Sequence, residues 1–145
     1  MEIATIGFTR TSAESFFERI AASGIKRLGD VRVHNTSQLA GFAKRDDLAY
    51  FLRAICGVEY TEVPELATTE ELLAAYRGKA LDWPAYEQRY EETLRQRKVE
   101  DALDRSLFEP GIILLCSEDK PDRCHRRLAA EYLRNNWPDV KIRHL

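Results

Sequence analysis

Apolar and polar residues along this chain switch between a period of two and a period near 3.6, and the switching predicts strands and helices in turn. Ile3-Ala4-Thr5-Ile6 is a short β-type run ended by Gly7, and Thr11-Ser12-Ala13-Glu14 has capping-box spacing ahead of an apolar-periodic stretch. A helix is expected from Ser12 to Ser23, with Gly24 where a C-cap belongs. Ile25 to Val33 then reads as a second strand, carrying Asp30-Val31-Arg32 near its end. The polar stretch His34 to Arg45, with Asn35, Ser37, Gln38, Gly41 and Lys44, reads as a long loop, either a binding segment or lid or plain solvated surface.

A helix from Asp46 to Cys56 closed by Gly57 follows, then a third strand from Val58 to Val63. Pro64 to Ser106 reads as mostly helical, with Leu72, Leu73, Tyr76, Tyr86, Tyr90 and Leu94 as core contacts and Pro84 in the first turn of a helix after Trp83. The alternating charges from Arg95 to Arg105 read as a solvated helix face. Ile112-Ile113-Leu114-Leu115-Cys116, set off by Glu109-Pro110-Gly111, is apolar on both faces, as a central strand of a parallel sheet should be. A loop from Ser117 to Arg123, a helix from Cys124 to Asn136 and a strand from Val140 to His144 complete the chain.

Strands alternating with helices predict an α/β fold: one domain over residues 1–145, a three-layer sandwich with a mostly parallel sheet of about five strands and helices on both faces. The length suits a single core, and 44% apolar with 32% charged residues argues against disorder. No apolar run approaches the ~20 residues that cross a bilayer, so no membrane partner is expected. The opening Met-Glu-Ile does not resemble a secretory leader, which points to the cytoplasm. A net charge of −2 removes the global basic field of a typical nucleic-acid binder. Three cysteines, an odd number at 56, 116 and 124, do not form a disulfide framework and are expected as free thiols or ligands.

Open α/β sheets bind ligands in the crevice at the carboxyl ends of their strands. The residues expected there are Gly7 to Arg10 including Thr9, then Asp30 and Arg32, Glu62, Cys116-Ser117-Glu118, and Cys124-His125-Arg126 at the start of a helix whose dipole favours an anion. The span from Cys116 to Arg127 is the richest in chemistry. Cys124, at a helix N-terminus beside His125 and Arg126, is placed where a thiolate is stabilised, so its pKa is expected to fall. Cys116 can be its redox partner, a co-ligand or a buried hydrophobe.

A phosphatase-type loop needs arginine six positions after its cysteine, where this chain has Asp122, and Glu118, Asp119 and Asp122 would repel phosphate. The Cys-x-x-Cys of a thioredoxin-like pair is absent. Zinc ligands usually pair at short spacings, and only Cys124 and His125 are close, so no metal site is assigned; one from Cys56, Cys116, Cys124 and His125 needs long-range convergence. Asp30 and Arg32 flank Val31 and are as well read as a plain ion pair as they are as ligand contacts.

The segments TIGFTRTSAESFF, LGDVRVHNTSQLAGFAKRDDLAYFL, CGVEY and LLCSEDKPDRCHRRLAAEYL resemble the domain of unknown function 488 family over nearly the whole chain. Asp-Val-Arg at 30–32 and Cys-Ser-Glu…Cys-His-Arg from Cys116 to Arg126 are its most specific parts. The resemblance implies a prokaryotic cytoplasmic protein with a compact α/β fold and no established reaction, and some members carry a DNA-repair label. The family pattern has a proline after the alanine where this chain reads Leu66-Ala67-Thr68-Thr69.

Three functional readings follow. The first is a cysteine-dependent enzyme acting on a small anionic or nucleotide-like substrate. In it Cys116 or Cys124 is the nucleophile, His125 or Glu118 the acid/base, and Thr9, Arg10, Asp30, Arg32 and Arg126 bind substrate. The second is a non-catalytic metal-binding or redox-sensing module using the same thiols. A nucleic-acid accessory role would use Arg10, Lys44, Arg45, Arg123, Arg126 and Arg127. No cofactor, substrate identity or oligomeric state is legible.

Overall fold

A computed structural model describes residues 1–36, 40–118 and 120–145. Ser37, Gln38 and Asp119, named above in the long loop and the acidic turn, lie outside the described residues. Among the described residues, five strands form one all-parallel sheet: β1 (Glu2–Ile6), β2 (Arg27–Asp30), β3 (Glu59–Glu62), β4 (Gly111–Leu115) and β5 (Lys141–His144), in the order β3-β2-β4-β1-β5. Its faces are covered by the described α-helices α1 (Ala13–Ser23), α2 (Arg45–Phe51), α3 (Glu70–Arg77), α4 (Trp83–Arg97), α5 (Val99–Ala102) and α6 (His125–Asn136). The predicted α/β sandwich is therefore the fold, and β4 is the central strand that its apolar run implied. No helix among the described residues is long and apolar enough to cross a membrane.

Alternation along each strand divides the core in two. Ile112 and Leu114 of β4, with Ile3, face α4 and α6 and pack on Tyr86, Tyr90, Leu94, Leu128 and Leu133. Ile113 and Leu115, with Ala4, Ile6 and Leu28, face α1 and α2 through Phe16, Ile20, Leu48 and Leu52. Parity carries past the strand end: Cys116 falls with Ile112 and Leu114 and is buried on the α4/α6 side. The register sets Ile6, Leu115, Asp30 and Glu62 in one row, so the carboxyl ends of four strands finish level.

Several boundaries differ from expectation. The N-cap of α1 is Ser12, whose hydroxyl accepts from the Ser15 amide, so a capping box begun at Thr11 does not form; Gly24 does close the helix at φ 79°. The second strand covers Arg27–Asp30 instead of 25–33, because beyond Asp30 the chain turns away to bond its own carboxylate. The helix expected at 46–56 is regular to Phe51 and then widens into a π turn, Leu52–Cys56, closed by Gly57 at φ 64°. The helical stretch to Ser106 is broken at Lys98, a left-handed residue between α4 and α5. Within the long loop, Gly41–Ala43 form a 3₁₀ turn that buries Ala43.

Candidate functional site

The chain leaves β1 toward α1 on one face and leaves adjacent β4 toward α6 on the other, which makes the β1–β4 boundary the topological switch point. An open parallel sheet of this kind usually holds its ligand there. Here protein fills it. The Thr9 hydroxyl and amide donate to the Ser117 carbonyl at 2.6 and 2.9 Å, and buried Arg126 donates to the Glu118 carbonyl at 2.5 Å. Gly7 passes so close that a Cβ built on it would lie 1.5 Å from that carbonyl oxygen. Thr9 and Arg126 thus tie the β1 and β4 loops together, and Arg10, exposed with φ 58°, does not reach the pocket described next.

A cavity of about 380 Å³, in the small-molecule range, opens one strand over, between the carboxyl ends of β2 and β4 and the α3–α4 pair. Cys116, Cys124 and His125 lie in its floor; Tyr76, Trp83 and Tyr86 form one wall; Arg32, Arg77, Glu118 and Arg123 bring charge to it, and His34 an imidazole. The wall is pre-assembled by ring contacts, Trp83 stacked on Tyr86 at 5.3 Å and Tyr76 tilted against Tyr86 at 5.2 Å. Leu73 and Tyr76, expected as core, are only half-buried because they line this opening.

The floor groups converge for a local reason. Neighbours inside a helix diverge by about 100°, but Cys124 is the extended N-cap of α6 (φ −137°, ψ 139°) and His125 its first helical residue. The change of backbone at that step lets adjacent side chains meet, and Cys116 reaches them from the end of β4. One ligand atom from each of the three lies within 4.8 Å of the others. The His125 Nε2 is 2.8 Å from the Val31 carbonyl oxygen, an acceptor only, so Nε2 carries the proton and Nδ1 the lone pair of the neutral ring. The Cys116 sulfur lies 3.5 Å from Nδ1 and 3.9 Å from Nε2, beside the ring.

The two thiols divide in the opposite sense to the expectation for Cys124. A hydrogen bond from Cys124, then the nearby Arg126 charge, holds the Cys116 thiol below its ordinary range against the cost of burial. Burial first, then Cys116, pushes the Cys124 thiol well above it. The helix dipole assumed to act on Cys124 is outweighed because its sulfur is sealed under the α4/α6 layer and already faces another sulfur. Cys56 sits on the other face, bonded to the Phe17 carbonyl at 3.5 Å, with burial raising its pKa, and takes no part.

Asp30 and Arg32 do not share this cavity as a pair. Asp30 has the parity of Leu28 and faces α2, across the sheet from Cys116. Its carboxylate accepts from the Arg32 amide, Nε and Nη2 at 3.1, 2.9 and 2.8 Å, from the Tyr60 hydroxyl at 2.5 Å and from Asn35 at 3.4 Å. Burial and that carboxylate raise the Tyr60 phenol far above its usual range, keeping it a donor. Arg32 also donates to the Ala43 carbonyl at 2.7 Å, which pins the long loop to the end of β2, and only Arg32 of the pair reaches the cavity wall. The single cleft expected to contain Asp30, Arg32 and the Cys124–Arg126 group is therefore divided: strand parity sends Asp30 to the opposite face, and Arg126 is spent on the Glu118 carbonyl.

Among the cations offered to a nucleic acid, Arg126 is buried, Arg127 is held by Glu87 and Glu131, and Arg45 faces Asp46 and Glu62. Sequence reasoning missed Arg77, Trp83 and Thr68 as cavity residues. The spacing Trp83, Tyr86, Tyr90 is i, i+3, i+7, the ordinary pattern of one buried stripe, so the periodicity of α4 carried no signal that its first turn lines an opening.

A family model described as a domain of unknown function, DUF488, matches residues 12–133. The chain matches no curated protein and no solved structure.

Proposed function

The chain belongs to the domain of unknown function 488 family, a membership that carries no reaction with it, and from the site itself we propose a cysteine-dependent enzyme acting on a small anionic or nucleotide-like substrate. The observation that carries the reading is one cavity whose floor holds two thiols and an oriented imidazole and whose walls combine stacked aromatic rings with guanidinium groups. Tyr76, Trp83 and Tyr86 offer a flat face to a ring, worth about 1–3 kcal/mol per stacked base in comparable sites. Arg77 and Arg123 offer charge-assisted hydrogen bonds to an anionic group. Cys116 is the attacking sulfur; Cys124 donates a hydrogen bond to it; His125, oriented by the Val31 carbonyl, handles the proton. Arg126 and Thr9 position the loop that carries Glu118, while Asp30 and Arg32 hold the rim.

Selective labelling tests the assignment. Under limiting iodoacetamide, mass spectrometry should find Cys116 modified before Cys56, although Cys56 is the more exposed thiol. Adenosine monophosphate should protect Cys116 more than inorganic phosphate does. Cys56 reacting first, or no protection by either anion, counts against the proposal. Trp83 supplies a second readout: nucleotide binding should quench its fluorescence. The Arg77→Ala/Arg123→Ala double variant should weaken that binding roughly tenfold, a modest loss because both groups sit at a screened rim.

A further inference from the structure

We propose that Cys116, Cys124 and His125 form a tridentate site for a thiophilic divalent cation such as Zn²⁺, with the fourth coordination position opening into the cavity. This goes beyond the thiol chemistry above and stands on the geometry of the cluster alone. Two thiols and an imidazole are a donor set suited to zinc, and a set of three protein ligands leaves one position for water or substrate.

The separations fit. A tetrahedral ion with Zn–S of about 2.3 Å and Zn–N of about 2.0–2.1 Å sets its ligand atoms about 3.8 Å apart for sulfur–sulfur and about 3.5 Å for sulfur–nitrogen. The Cys116 sulfur to His125 Nδ1 distance is 3.5 Å, and all three ligand atoms lie within 4.8 Å. Closure onto an ion therefore asks for a contraction of an ångström or less and a turn of the Cys116 thiol from beside the imidazole onto the Nδ1 side.

A second, independent observation is the outer shell. Metal-bound imidazoles nearly always donate their other N–H to a carboxylate or backbone carbonyl, which fixes the ring and leaves the opposite nitrogen for the metal. The His125 Nε2 to Val31 carbonyl bond, 2.8 Å and buried, does this and leaves Nδ1, the nitrogen nearer the Cys116 sulfur, free for an ion. Cys116, Cys124 and His125 are all under a tenth exposed yet line the cavity, so an ion here would be shielded from bulk solvent and still reachable by a ligand. A bound ion would occupy the Cys116 sulfur, making metal and electrophile competitors.

Reduced, chelator-treated protein titrated with Co²⁺ should take up one ion per chain, with a thiolate-to-cobalt charge-transfer band in the near ultraviolet and visible ligand-field bands of tetrahedral strength. Cys124→Ser and His125→Ala, checked for folding by circular dichroism, should each weaken uptake by about tenfold or more. Cys56→Ser should leave the spectrum unchanged. In wild-type protein, Zn²⁺ should shield Cys116 and Cys124 from iodoacetamide without slowing Cys56, a readout that needs no variant. A folded protein with no charge-transfer band, an undiminished band in folded Cys124→Ser, or labelling indifferent to Zn²⁺ would overturn the site. Selective alkylation of Cys116 with no cobalt band defeats the metal site alone; a cobalt band with unselective alkylation defeats the nucleophile assignment and leaves the metal site standing.

Discussion

Gly7→Ala is expected to destabilise the protein by about 3 kcal/mol or more, beyond the usual range for overpacking, and to lower its melting temperature by roughly 10 °C for a domain of this length. The cause is a backbone collision: the added Cβ would meet the Glu118 carbonyl oxygen at 1.5 Å and its carbon at 2.5 Å. A clash with the end of a flexible side chain can relax by rotation, but here the obstacle is main chain. That main chain is itself clamped, by Arg126 on the Glu118 carbonyl and by Phe8 and Thr9 amides on the Ser117 carbonyl. Either the loop after β4 shifts and loses those bonds, or β1 is displaced from the sheet. Because Cys116 adjoins the Ser117–Glu118 segment that must shift, any folded Gly7→Ala protein should also lose the selectivity of Cys116 labelling. Gly41→Ala is the control, since a Cβ there meets nothing within 4 Å. A Gly7→Ala variant that melts with the wild type would show that the β1–β4 crossing is not the tight point described.

That crossing also shows why the site was only partly legible in the sequence. The two-faced burial of β4 follows from its run Ile112 to Leu115, which a chain must hide between two helical layers, whereas the edge strands β3 (EYTE) and β5 (KIRH) are half-exposed and are marked in the sequence mainly by the turn residues and apolar positions around them. Strand order does not follow, because which neighbour β2 pairs with depends on long-range packing; β2 lies beside β4, and β1 lies on the other side of β4. Cys116, Cys124 and His125 were identifiable because all three bracket one strand–loop–helix connection, so local geometry alone brings them near each other. The aromatic and cationic wall comes from the separate α3–α4 pair, and nothing in its periodicity says which strand ends it will cover. Arg126 misled for a different reason: a guanidinium at a helix N-terminus looks like an anion ligand, but its length lets it reach back to a carbonyl across the switch point. The Cys124 thiol misled because a dipole worth a fraction of a kcal/mol to about 2 is easily outweighed by full burial.

Asp30→Asn is expected to cost about 3–5 kcal/mol, the range for breaking a buried ion pair by removing one partner. The substitution keeps shape and removes charge, so the loss isolates electrostatics. The Arg32 guanidinium, its side chain 2% exposed, would keep its bond to the Ala43 carbonyl but face no counter-charge, and an amide oxygen cannot replace a carboxylate that accepts five donors. Tyr60→Phe, which removes one of those donors and leaves the charges paired, should cost only about 1 kcal/mol. The informative variant is the double one. Asp30→Asn/Arg32→Met removes both charges from a buried site, and should recover much of the single-variant loss, since a buried pair contributes little net stability over apolar replacements of similar volume. Urea unfolding of the wild type, Asp30→Asn, Arg32→Met and the double variant gives the coupling energy directly. A double variant as unstable as the sum of its singles would mean that Asp30 and Arg32 act independently.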